Sequence, residues 1–97
     1  MNIYNYTTPQ KGETFTSLLE HKNIKINAIV SSEVIDEKTY LQEEDEWLVL
    51  IEGEATLLVE DKEIKLKKGD TLFIPSKTPH RIINTQNGTL WLTCHIF

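Results

Sequence analysis

The chain has 97 residues, 39% of them hydrophobic and 26% charged, with a net charge of −5. That length supports one hydrophobic core, so a single domain over residues 1–97 is expected. The acidic balance, with no basic stripe beyond Lys65 to Lys68, argues against nucleic acid as a partner.

No apolar run nears the roughly 18 to 20 residues that a membrane helix needs. Met1 to Tyr6 offers neither a basic stretch nor an apolar core, so a cytoplasmic protein without membrane attachment is expected. Cys94 is the single cysteine, which rules out an intrachain disulfide or a cysteine metal cluster. In the apolar run Leu90 to Phe97 it reads as a small buried hydrophobe.

Following the turn-prone Pro9 and Gly12, Phe15, Leu18 and Leu19 recur at helical spacing, which predicts a short helical turn over Thr14 to His21. From Ile24 onward the pattern becomes short runs rich in Ile, Val, Leu, Thr and aromatic residues, broken by polar turns. These runs predict strands at Lys25 to Ser31, Lys38 to Gln42, Trp47 to Glu52, Ala55 to Glu60, Lys62 to Leu66, Thr71 to Ile74, His80 to Asn84 and Thr89 to Ile96. Many short strands with almost no helix imply an all-β sandwich or barrel. Gly53 and Gly69 supply the φ > 0 that tight connections between strands require. Lys62 to Lys67 alternates charged with apolar residues, as a strand solvated on one face does.

One segment places a histidine between two of these runs on a stiffened loop. In Gly69-Asp-Thr-Leu-Phe-Ile-Pro75-Ser-Lys-Thr-Pro-His80-Arg-Ile-Ile-Asn84, two prolines flank the approach to His80 and remove backbone donors there. Glu46, six intervening residues and Gly53 form a second spaced pair upstream. Together these resemble the two motifs of the cupin family. Gly69, Pro75, His80 and Asn84 match four of the five markers of the second motif, with Lys77 in place of its inner glycine. Glu46 and Gly53 match the second half of the first motif. Where that motif has paired histidines, this chain has Tyr40 and Gln42 if three residues precede the glutamate, or Thr39 and Leu41 if four do. The first register is preferred because Tyr40 and Gln42 are polar and two apart, and Tyr40-Leu-Gln42 followed by Asp45-Glu-Trp47 is similar to a subset of small bacterial cupins.

The resemblance implies a double-stranded β-helix barrel over about residues 24–97, with a site inside its mouth. It implies Glu46 and His80 as the catalytic or proton-handling pair, and Tyr40 and Gln42 as further pocket residues. A divalent metal (Mn, Fe, Ni or Zn) would be held by Gln42, Glu46 and His80. A neutral amide and a phenol are far weaker ligands than imidazole, so such a metal is expected to be weakly held or absent.

His95 belongs to the last strand and is a ligand-binding candidate. Both faces of that strand are apolar, so alternation leaves open whether His95 faces the cavity. Arg81 follows His80, and alternation points it away from the cavity.

Three functions follow from these residues: a barrel binding a small molecule, a metal-dependent dioxygenase, isomerase or decarboxylase, or a self-associating interaction module. The cupin resemblance also implies a homodimer. The missing histidines favour the small-molecule binder. The fold alone does not decide, because one fold hosts many activities.

Overall fold

The computed structural model describes residues 1–97, which form strands, turns and loops with no helix. Eight strands follow in order: β1 (Glu13–His21), β2 (Ile24–Ser31), β3 (Asp45–Glu52), β4 (Glu54–Val59), β5 (Lys62–Lys67), β6 (Thr71–Ile74), β7 (His80–Thr85) and β8 (Thr89–Ile96). A five-stranded sheet has the order β1-β2-β8-β3-β6, and a three-stranded sheet the order β5-β4-β7. Every ladder is antiparallel. The two sheets close on each other as a jelly-roll-like barrel, the all-β fold that the strand pattern predicts.

Side-chain alternation explains where the core lies. Along β3, Glu46, Leu48 and Leu50 are buried, while Trp47 between them is exposed. The inward residues Ile29, Leu48, Leu50, Ala55, Leu57, Leu66, Ile74 and Trp91 form one apolar cluster between the sheets. Each leucine and isoleucine among them contributes about 1.5–3 kcal/mol by leaving water. Gly53 carries the chain from β3 into β4 with φ 95°. A Cβ there would stand 2.9 Å from the Cα of Thr89, so backbone angle and space both exclude a side chain.

The N-terminal segment departs from expectation. Thr14 to His21 is not helical but lies within β1, which pairs with β2 from Glu13↔Ser31 to His21↔Ile24. A bulge between Ser17 and Leu19 explains the misleading pattern. Period-two alternation slips by one residue there, so Phe15, Leu18 and Leu19 acquire a spacing that imitates a helix.

The expected strand over Lys38 to Gln42 also shrinks, to one isolated bridge between Tyr40 and His80. The amide of Tyr40 donates to the His80 carbonyl at 2.8 Å, the amide of His80 donates back at 3.0 Å, and the amide of Lys77 donates to the Gln42 carbonyl at 2.8 Å. The segment is pinned at the site without joining a ladder.

The outer face of the five-stranded sheet is partly bare. Leu19, Ile26, Cys94, Trp47 and Phe73 pair in register from β1 to β6, and Leu19, Trp47 and Phe73 remain 49%, 40% and 52% exposed. Cys94 is half-buried in this row rather than in the core. No helix is long and apolar enough to cross a membrane.

Candidate functional site

A cavity of about 140 Å³ opens between the two sheets, with Tyr40, Gln42, Glu46, His80 and His95 in its wall. Each arrives by a different local route. Glu46 is the first inward residue of β3, His80 starts β7, and His95 lies opposite Glu46 in the β3–β8 ladder. Tyr40 and Gln42 come from the bridged segment and both line the cavity. The acidic run Glu43 to Glu46 is largely engaged. Only Glu43 is exposed, while Asp45 accepts the Ser76 amide at 2.8 Å and so ties β3 to the loop before His80.

Glu46 and His80 are both buried, 6% and 8% exposed. Gln42 Nε2 donates to Glu46 Oε1 at 2.8 Å, and His80 Nε2 lies 3.7 Å from the same oxygen. That separation exceeds a hydrogen bond but permits an ionic contact. His80 Nδ1 is 2.9 Å from the Thr78 carbonyl. A carbonyl only accepts, so the Nδ1 proton is required there and Nε2 is left as the exchangeable site facing Glu46. His95 follows the same logic, with Nδ1 2.9 Å from Glu44 Oε2.

Tyr40 stacks on His80, the ring centroids 5.8 Å apart and the planes within 19°. The Lys38 ammonium lies 4.9 Å from the centre of the phenol ring. The Tyr40 hydroxyl points to Glu13 Oε1 at 3.4 Å, while Ser31 Oγ donates to Glu13 Oε2 at 2.8 Å. Trp91 Nε1 in turn donates to Ser31 Oγ at 2.9 Å. An indole N–H can only donate, so the serine proton must go to Glu13 and the direction of this chain is unambiguous.

Burial pushes the Glu13 carboxyl above its ordinary 4.5. The hydrogen bonds from Ser31 and Tyr40 oppose that rise, and the charges of Glu46 and Asp36 add to it. Burial and then the Glu13 charge push the Tyr40 phenol up to about 12, so it keeps its proton at neutral pH.

The donor set does not fit a tightly bound transition metal. Tyr40 is a protonated phenol turned toward Glu13, and Gln42 presents its N–H to Glu46. Of the residues at the matched motif positions, that leaves the Glu46 carboxylate and the His80 imidazole as strong ligands. No group of three His, Cys, Asp or Glu side chains is arranged to hold an ion.

Three cavity residues escape sequence reasoning. Glu13 carries no signal, because its place depends on β1 being a strand. Asn27 interrupts the apolar Ile26-Asn27-Ala28-Ile29, a mark that something polar faces inward. Thr93 shares a strand face with His95 and Trp91. Arg81 contributes to the wall between His80 and Ile82. In the β4–β7 ladder it pairs with Leu58, while the core residue Leu57 pairs with Ile82.

Known proteins share this architecture. A family model described as a cupin domain matches residues 33–96. An uncharacterized protein of Methanocaldococcus jannaschii is 37% identical over 65 residues, 67% of this chain and 50% of that protein, so the chain spans about half the length of this curated relative. Among solved structures, a candidate mannose-6-phosphate isomerase of Ralstonia eutropha superposes with a TM-score of 0.86 at 28% identity, covering 99% of this chain and 95% of that one. A cupin superfamily protein of Desulfitobacterium hafniense gives a TM-score of 0.85 at 16% identity, covering 98% and 86%.

Proposed function

The chain belongs to the cupin domain family, and from that premise we propose that it binds a small molecule in the barrel mouth through Tyr40, Gln42, Glu46, His80 and His95. One observation carries the reading. These side chains, from separate elements, converge on a single cavity of about 140 Å³, with the Glu46 carboxylate and His80 Nε2 set 3.7 Å apart. That gap leaves room for a ligand hydroxyl to bond both groups. The hydroxyl would donate its proton to Glu46 and accept from Nε2 when the ring carries both protons, whereas a neutral ring would compete with Glu46 for that one proton. Gln42 fixes the carboxylate and Tyr40 holds the imidazole plane, so the pair is positioned before ligand arrives.

Protein-observed NMR against a library of small compounds tests the reading. Hits should move Gln42, Glu46, His80 and His95 resonances together, and Glu46→Gln should weaken them. Hits that move only outer-face resonances would remove the cavity from the account.

A second reading is catalysis of a proton transfer such as an isomerisation. The Glu46–His80 pair supports it, as does the similarity to the Ralstonia eutropha protein. It requires turnover that Glu46→Gln and His80→Ala abolish.

We further propose that any divalent metal is held weakly, because only Glu46 and His80 are strong ligands. Elemental analysis of untagged, chelator-free protein should find less than one metal per chain. Gln42→His should raise affinity for added Ni or Zn by placing a second imidazole beside them. The bare row Leu19–Ile26–Cys94–Trp47–Phe73 supports self-association as a homodimer, which light scattering would report as twice the chain mass.

A further inference from the structure

We propose that Asn27 and Thr93 form a recognition subsite on the cavity floor, which reads one hydroxyl or carbonyl group on a small neutral molecule with an apolar body. The inference rests on the cavity being a ligand site. Asn27 and Thr93 are direct partners in the β2–β8 ladder, and both line the cavity. Thr93 is 1% exposed, and its hydroxyl is the one buried side-chain polar atom without a hydrogen-bond partner. Asn27 is 8% exposed. A buried hydroxyl left unpaired destabilises a fold, so its presence calls for a bonding partner from outside the chain. Hydroxyl and amide each donate and accept, which suits a group able to do either.

The surroundings define the rest of the ligand. On one side of the pair lie Ile29 and Trp91, an apolar wall. On the other lie His95 and Glu46. Among the lining residues no lysine is present, and Arg81, the one arginine, pairs with Leu58 rather than with the core residue Leu57 in the β4–β7 ladder. Both histidines use Nδ1 on Thr78 and Glu44, so each ring, when neutral, offers an acceptor to the cavity. A carboxylate or phosphate would therefore meet the Glu46 carboxylate and, on neutral rings, imidazole lone pairs. The size agrees: a cavity of about 150 Å³ takes benzene, so roughly six to eight non-hydrogen atoms fit.

Three probes test this by NMR titration: phenol, toluene as its isostere without the hydroxyl, and benzoate as an anion of similar shape. Phenol should move the Asn27 side-chain amide and Thr93 methyl signals, and bind at least about ten-fold more tightly than toluene or benzoate, since a site built for a hydroxyl rejects the analogue lacking it. Thr93→Val should erase the preference for phenol over toluene with the melting temperature unchanged or raised, and Thr93→Ser should keep it. Tighter binding of benzoate, or a preference that survives Thr93→Val, overturns the proposal. If Thr93→Val fails to fold, Asn27→Ala decides by the same preference. Phenol signals at Gln42, Glu46 and His80 with none at Asn27 or Thr93 would sink this subsite while keeping the cavity as a binding site. No response at either place sinks both.

Discussion

Two polar groups share the inner face of the five-stranded sheet and differ in how completely they are bonded. The chain Trp91–Ser31–Glu13–Tyr40 is closed: indole to hydroxyl, hydroxyl to carboxyl, and phenol to the other carboxyl oxygen. Thr93, two residues from Trp91 on the same strand, has a hydroxyl with no partner. The first group is self-sufficient and ties β1, β2 and β8 to the Tyr40 segment. The second keeps an unused hydroxyl. Bonding state therefore separates the two groups where burial alone does not, since Ser31 and Thr93 are each 1% exposed.

The largest expected effect comes from opening the closed group. Ser31→Ala would leave the Trp91 N–H without an acceptor and Glu13 Oε2 without a donor, at a cost of about 2–4 kcal/mol from two buried groups. Thr93→Val should cost nothing or stabilise by up to about 1 kcal/mol, because it removes an unpaired hydroxyl while keeping shape. Urea unfolding of both variants measures the contrast, and equal losses would erase the distinction.

A pH effect sharpens the same comparison. Glu13 has a higher pKa folded than its ordinary 4.5, chiefly from burial. Its protonated form favours folding, so that contribution is fully present below about pH 4.5 and declines as pH rises through the raised folded value. Glu13→Gln should remove this decline. The amide oxygen can take the Ser31 proton while its NH₂ donates to Tyr40, whose hydroxyl is free to reverse. Stability of wild type and variant should diverge with rising pH in favour of the variant, and parallel pH curves would show that Glu13 does not titrate within the fold.

Tyr40 reports on that group spectroscopically. With its phenol pushed to about 12, one tyrosine should resist ionisation in an ultraviolet titration until that pH. Glu13→Gln should lower this value by removing the neighbouring negative charge, and a titration indifferent to the substitution would detach Tyr40 from Glu13.

The smallest effect lies outside both groups, on the loop leading to His80. Lys77 holds φ 60° where the family pattern has glycine. Lys77→Gly should relieve left-handed strain and stabilise by about 0.5–1 kcal/mol after the entropy of the unfolded glycine is counted. Ligand binding should be unchanged, so a loss of affinity would mean that the loop, and not only the closed group, sets the site.

Much of this molecule was legible from local pattern. Short β-prone runs broken by polar turns placed β2 to β8 to within a few residues, and alternation marked the solvated face of Lys62 to Lys67. The spacing from Gly69 to Asn84, and from Glu46 to Gly53, located the two residues that meet in the cavity. Even the Lys77 departure from the motif kept the backbone geometry that the motif's glycine serves.

What the tertiary structure alone decided concerns residues whose meaning depends on a distant partner. His95 could face either way until the β3–β8 register set it opposite Glu46. Glu13 became a cavity residue only because β1 is a strand laid against β2, and the bulge after Ser17 hid that strand behind a helical spacing. Alternation is a property of consecutive residues and survives in the sequence. Register, bulges and the satisfaction of buried hydroxyls arise between segments far apart in the chain, so only the folded barrel could show that Ser31 is bonded and Thr93 is not.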